Sequence, residues 1–306
     1  MSFFECPNAA IQTPDDCPAS IDQVIVPRSK DIGGFEVRRV LPSRERRTIG
    51  PFVFFDQMGL GAFKPGQGLD VRPHPHIGLA TITYLYSGEI MHRDSLNTKQ
   101  VIRPGAVNLM TAGRGIVHSE RSPDDSRATD SELFGLQAWI ALPKASEEID
   151  PDFSHHPAES LPLIEDGGAR ARMLAGSAYG QAAPVPVKSE TLYVDIELQP
   201  GARLPIDSPH EERGLYIAEG SVEVDGQTYP AGQLLVLKPG VQFTIGSRTG
   251  ARVALLGGEP LDGPRHLWWN FVHSDKARIE QAKADWVAGR FDRVIDDSEW
   301  IPLPDA

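Results

Sequence analysis

Short apolar runs of strand length, broken by Gly and Pro, occupy the chain from Ile21 to about residue 143: VIVP, FEVRRVLP, PFVFFDQM, LATITYLYSGE, AVNLMTAGRG and LFGLQAWIALP. β-Branched and aromatic residues are enriched in them, and the turn residues between them recur at the spacing of a sandwich or barrel. The pattern predicts a first lobe that is almost all β. Residues 144–186 lose this rhythm and read as a linker crossed by one or two strands. A second β series starts at TLYVDIELQPG and ends at RVALLGGEP, and Val224-Asp225-Gly226-Gln227 between two alternating runs in it predicts a hairpin. After Pro264 the period changes to that of a helix, DKARIEQAKADWVA (275–288), with Ser274 as N-cap, Ile279, Ala282 and Trp286 on the apolar face and Gly289 as the stop. It is expected to pack across a barrel.

Laid together, the two halves share a grammar. Tyr84-Leu85-Tyr86-Ser87-Gly88 matches Tyr216-Ile217-Ala218-Glu219-Gly220, and Pro104-Gly105-Ala106 falls near Ala231-Gly232-Gln233. Divergent repeats of one unit are the expectation. The resulting division is an irregular arm at 1–20, a first barrel at 21–145, a linker with crossing strands at 146–186, a second barrel at 187–262, and a C-terminal helix and tail at 263–306.

Two triplets change the picture from fold to chemistry. His74-Pro75-His76 and His118-Ser119-Glu120 each place two metal-binding side chains at i and i+2, which an extended strand projects to one face. Two such strands side by side make a cage of His74, His76, His118 and Glu120. Three neutral imidazoles and a carboxylate suit iron, manganese, nickel, copper or zinc, whereas calcium and magnesium prefer oxygen alone. Pro73 and Pro75 cannot donate to a ladder, so their strand is expected at an edge or rim where a site can open. On the repeat register these positions face Ile206, Ser208, Ile245 and Ser247, so the second barrel is expected to carry no metal.

Other polar residues draw plainer readings. His92 and Asp94 read as turn residues, and Asp56 and Gln57 as hydrogen-bonding support for a ligand. The adjacent pair His155-His156 cannot face one way in extended chain, so a second site is not expected there. Trp268-Trp269, flanked by His266 and His273, reads as an apolar plug between lobes, and Gly113 and Gly115 as shaping the turn that feeds His118 into the barrel.

Composition narrows the function classes. A formal net charge of −12 argues against direct nucleic-acid binding, since phosphate backbones reward clustered Lys and Arg. Cys6 and Cys17 supply neither a disulfide framework nor a thiolate site, and the acidic N-terminus does not read as a signal peptide. No run approaches a membrane span, and a cytoplasmic protein is the expectation.

The stretch 68–120 resembles the cupin superfamily, with Gly68 six residues before His-x-His at 74–76 and Gly-x-x-His at 115–118. Within it, PHPHIGLATITYLYSGE (73–89), MTAGRGIVHSE (110–120), GPRHLWWNFV and DWVAGRF are similar to the pirin family, over about residues 20–300. The resemblance implies an all-β bicupin fold, two jelly-roll-like barrels packed face to face, with iron(II) held by His74, His76, His118 and Glu120 in the first. The usual cupin glutamate would fall near Ala80 or Thr81, so the carboxylate must come from Glu120 instead. Pirins often carry Arg and Glu where this chain has Ile77 and Ala80, a change expected to lower charge at the pocket mouth.

The activity this implies is an iron-dependent, quercetin 2,3-dioxygenase-like opening of a flavonol ring by dioxygen; Glu120 reads either as base for the substrate hydroxyl or as a static ligand. The alternative is a metal-binding regulatory protein that modulates a transcription factor or metabolic enzyme.

Overall fold

The computed structural model describes residues 2–4, 19–31, 36–44, 46–59, 62–206 and 210–304. Cys6, Cys17 and most of the arm expected at 1–20 lie outside them. Strands dominate the described residues, and their α-helices are Asp124–Arg127 and Lys276–Val287. Within the described residues the chain divides into two compact units, one from Met1–Ser29, Arg38–Phe55 and Glu159–Pro260, the other from Lys30–Val37, Asp56–Ala158 and Leu261–Ala306.

The units are built from discontinuous chain, which the periodicity alone did not reveal. Strand Ile21–Val26, expected in the first barrel, pairs antiparallel with Leu234–Leu237 of the C-terminal series, Ile25 facing Leu234 and Val24 facing Leu235. Its apolar alternation fits any exposed sheet edge; which edge it takes is a long-range choice. The stretch at 146–186 is likewise shared. Asp152–His156 pairs with Val107–Thr111, whereas Ala169–Ala178 pairs with Thr191–Leu198.

In the first unit, Ile21–Val26, Leu234–Leu237, Glu212–Val224, Ala251–Gly258, Thr191–Leu198 and Ala169–Ala178 follow one another across a sheet. Its inner side is aliphatic, with Val194, Ile196, Ile206, Leu215, Ile217, Ile245 and Val253 all fully buried. Each such side chain contributes about 1.5–3 kcal/mol of burial. The hairpin at 224–227 forms as the sequence predicts: Val224 faces Gln227, and Asp225 (φ 49°) and Gly226 (φ 82°) supply the left-handed pair of a tight turn.

In the second unit, a four-stranded sheet runs in the order Lys99–Ile102, Ile90–Asp94, Ile116–Arg121, Asp70–His76. Asp152–His156, Val107–Thr111, Leu79–Ser87 and Phe134–Ala141 are consecutive in another. The repeat register is visible in the backbone of both units. Gly105 N–H donates to Leu85 O (3.0 Å) and Gly232 N–H to Ile217 O (2.7 Å), joining the same pair of matched positions. Gly88 (φ 81°) follows strand Leu79–Ser87 and Gly220 (φ 72°) lies within Glu212–Val224, and a Cβ on either would overlap a backbone carbonyl, of Glu132 and Gly250 respectively.

Helix Lys276–Val287 buries Ile279, Ala282 and Trp286, as its period predicts. Its N-cap is Asp275 rather than Ser274: Asp275 Oδ1 accepts from Ala277 N–H (2.8 Å). Ser274 is claimed by a distant partner, since its N–H and hydroxyl both donate to the Glu147 carboxylate (2.8 and 2.5 Å). A charge-assisted tertiary pair thus outcompetes the local cap. Trp268 and Trp269, expected as a plug between lobes, pack inside this unit against Ile77, Phe271 and Ile279.

Candidate metal centre

Strand pairing brings the two triplets together. In the ladder His118 faces His74, Ile116 faces His76 and Glu120 faces Val71, so between these pairs one residue, Ser119, opposes two, Arg72 and Pro73. The extra residue lies at Arg72-Pro73, where a bulge leaves proline no amide to satisfy. Asp70–His76 is the edge strand of its sheet, as its prolines require. The edge is nevertheless covered, not open: Pro73 O accepts from Ile301 N–H (2.9 Å), and Ile77 bridges to Phe271.

One ring nitrogen from each of His74, His76 and His118 lies within 4.8 Å of the others, and the three rings sit 4.4–5.0 Å apart. All three are buried, at 6, 1 and 1 % exposure. Burial drives the His74 imidazolium down to about 4, and His76 and His118 well below the usual range, with neighbouring imidazoles adding to the effect. Neutral imidazole is the form that ligates a metal.

The proton arrangement can be assigned from the partners. His74 Nδ1 lies 2.9 Å from Arg72 O and His76 Nδ1 3.1 Å from Asn270 O, so both Nδ1 atoms donate and both Nε2 atoms keep a lone pair. His118 Nδ1 lies 3.4 Å from His92 Nδ1, and His92 Nε2 lies 3.0 Å from Asp94 Oδ2. An ionised Asp94 only accepts, so His92 donates from Nε2, accepts at Nδ1, and leaves His118 Nε2 bare as well. His76 Nε2 and His118 Nε2 then stand 3.1 Å apart with no proton to share. Two such lone pairs repel unless a cation lies between them, and about 3 Å is the spacing of adjacent nitrogens each about 2.1 Å from one divalent ion. The donor set fits a divalent first-row metal.

Glu120 extends the same face. Its Oε1 lies 3.4 Å from both Thr83 Oγ1 and Gln137 Nε2, and burial raises its carboxyl above the usual range, partly offset by His92, Thr83 and Gln137. Glu120 is not among the three groups gathered within 4.8 Å. Trp139 meets His76 edge-on at 5.1 Å and completes an aromatic wall.

His92 and Asp94 are not the turn residues the sequence reading made them. They sit on strand Ile90–Asp94, at 4 and 0 % exposure, directly opposite Glu120 and His118 in the ladder. The i, i+2 spacing of the candidate ligands also describes His92-Arg93-Asp94; what the sequence does not show is the ladder order. Asp56 and Gln57 are buried on Phe52–Met58. His155 bonds Asn108 (2.7 Å) and His156 bonds Ser154 (3.0 Å), each facing its own partner. Gly113 (φ 51°) abuts the Ile149 carbonyl in the turn before His118, where a Cβ would overlap it. Ile77 is not at a pocket mouth, because it is fully buried against Phe271 and Ile279. On the opposite face of the sheet, Met91, Arg93 and Arg121 line a charged cleft of about 700 Å³ that does not reach the histidines.

Two β units built on one repeat, one of them carrying a buried three-histidine cluster, define a cupin-type protein with a site suited to a metal. Comparison with known proteins narrows this. The Pirin family model matches residues 34–140, and the Pirin C-terminal cupin domain model matches 193–292. A pirin-like protein of Caulobacter vibrioides is 52% identical over 93% of this chain and 100% of its own length. The chain belongs to the pirin family. Among solved structures, a quercetin 2,3-dioxygenase from Acinetobacter baumannii superimposes with a TM-score of 0.87 at 39% identity, covering 93% of this chain and 95% of that one. A second quercetin 2,3-dioxygenase structure from the same organism gives 0.81 at 26% identity, over 88% and 96%.

Proposed function

We propose that this protein is a flavonol dioxygenase that uses a divalent metal, iron(II) foremost, held by His74, His76 and His118 with Glu120 as the fourth ligand. The observation that carries the reading is the convergence of three unprotonated Nε2 atoms beside a buried carboxylate. Two structures described as quercetin 2,3-dioxygenases share the fold over most of the chain, which supports the substrate class.

Bound there, the metal would supply Lewis acidity toward a substrate oxygen and electrons toward dioxygen. The chain's own residues do the rest. Glu120, its basicity raised by burial, takes the proton of the substrate hydroxyl at Oε2, the oxygen it would otherwise offer the metal, while Oε1 stays beside Thr83 and Gln137. The residual exposure at the site falls on His74, Trp139, Glu120 and Gln137, at 6, 7, 8 and 9 %, so the substrate reaches the base from that side. His76 and His118, each 1 % exposed, form the dry wall behind it, where water would quench a reactive intermediate.

Oxygen uptake by protein reconstituted anaerobically with iron(II), with quercetin added and a His74→Ala variant alongside, tests the reading. Uptake that tracks flavonol loss and vanishes in the variant supports it. Bound iron with no uptake rejects the oxygenase and leaves a metal-carrying protein without this chemistry.

A further inference from the structure

The three ligand histidines are not held alike. His74 and His76 each direct Nδ1 at a backbone carbonyl, but His118 directs Nδ1 at another imidazole, which in turn meets a buried carboxylate. We propose that His92 and Asp94 form a hydrogen-bond relay that orients His118 as a ligand and sets its donor strength. The inference rests on the metal centre proposed above, and not on the identity of the substrate.

The relay is built into the strand pairing. His118 faces Asp94 and Glu120 faces His92 across one antiparallel ladder, so ligand, imidazole and carboxylate share a sheet face. Asp94 is fixed from its other side, where Oδ1 accepts from the backbone N–H groups of Leu96 (2.9 Å) and Thr98 (3.0 Å). Asn97, at φ 68°, closes that turn. His92 is fixed by stacking on Phe153, with ring centroids 4.4 Å apart and planes at 22°. Neither member of the relay is free to rotate away from His118.

Charge accounting points the same way. Asp94 is fully buried, and an unpaired buried anion is costly. His92 and two amides satisfy its lone pairs, yet a neutral imidazole does not cancel its charge. A divalent ion on His118 would, since Asp94 and Glu120 together carry two negative charges on the face that holds it. A carboxylate at the far end of the relay also makes the His118 imidazole a stronger donor than one bonded to a carbonyl.

Cobalt(II) binding to the full-length protein, followed by its visible d–d bands, tests this apart from catalysis. His92→Phe keeps the ring on Phe153 and removes the acceptor for His118 Nδ1. It is expected to weaken cobalt affinity about 10–100-fold and to shift the d–d bands. His92→Gln offers an amide oxygen at that point and is expected to restore part of both, which a purely structural role would not give. Asp94→Asn, nearly isosteric, is expected to shift the bands with a smaller loss of affinity. Wild-type affinity and spectrum in both His92→Phe and Asp94→Asn overturn the relay, as does an equal loss in His92→Phe and His92→Gln. A wild-type protein that takes up no cobalt overturns the metal centre itself, a distinct failure.

Discussion

Single side chains of the centre divide by what they offer a metal. His74, His76 and His118 each present one lone pair, so loss of one removes a third of the nitrogen donors. His74→Ala and His118→Ala are expected to weaken metal binding by more than the roughly 10–100-fold that loss of a supporting hydrogen bond costs. Isothermal titration with iron(II) or cobalt(II) measures it, and near-native affinity in either variant contradicts the assignment. Glu120 is a different case because in the proposed reaction its carboxyl is the base. Glu120→Gln is expected to lower kcat by about 10²- to 10⁴-fold while the histidines keep the metal, read by single-turnover kinetics on protein of known metal content.

Elements of the second unit matter through the segment that covers the edge strand. Trp286 is 6 % exposed, packs with Val117 and Val294, and donates from Nε1–H to Ile301 O (2.9 Å). Trp286→Ala is expected to cost about 3–5 kcal/mol, seen as a fall in the denaturation midpoint. The tail is clipped separately, where Arg121 donates to both oxygens of Asp297 (2.8 and 3.0 Å). Burial disfavours the Asp297 anion, but the bonds and charge of Arg121 outweigh it and hold the carboxyl below its usual range. The clip is therefore complete above the ordinary carboxylate pKa of about 4 and is lost as pH falls through the lower, folded value. Amide exchange at residues 297–301 should rise on acidification to that range. In Asp297→Asn it should already be raised at neutral pH, and equal protection in the variant would argue against the clip. Apolar spacing fixed Ile279, Ala282 and Trp286 as the buried face, but the cap moved to Asp275 because Glu147, 127 positions from Ser274, takes the serine hydroxyl.

The whole molecule carries its candidate site in one of two units, so metal should act on them unequally. A ligand present at about 1,000 times its Kd stabilises the state that binds it by about 4 kcal/mol. Removing metal with a chelator is expected to raise amide exchange in Asp70–His76 and Ile116–Arg121 and to leave Leu215–Ile217 and Val253–Leu255 unchanged. Equal deprotection of both sets would place the metal's influence elsewhere. Local pattern determined the all-β class, the two-fold repeat with its Leu85/Ile217 and Gly105/Gly232 register, the hairpin at 224–227, and the pairing of two i, i+2 triplets. Those features need only the alternation of side chains along a strand, the left-handed freedom of glycine and the missing amide of proline, all properties of neighbours in sequence. Tertiary structure decided that Ile21–Val26 pairs with Leu234–Leu237, that residues 146–186 serve both units, and that the edge strand is covered. It also turned His92 and Asp94 from expected turn residues into the cross-strand neighbours of Glu120 and His118. Each of these depends on which strands become adjacent, and adjacency is set by burial and hydrogen bonding between residues far apart in the chain.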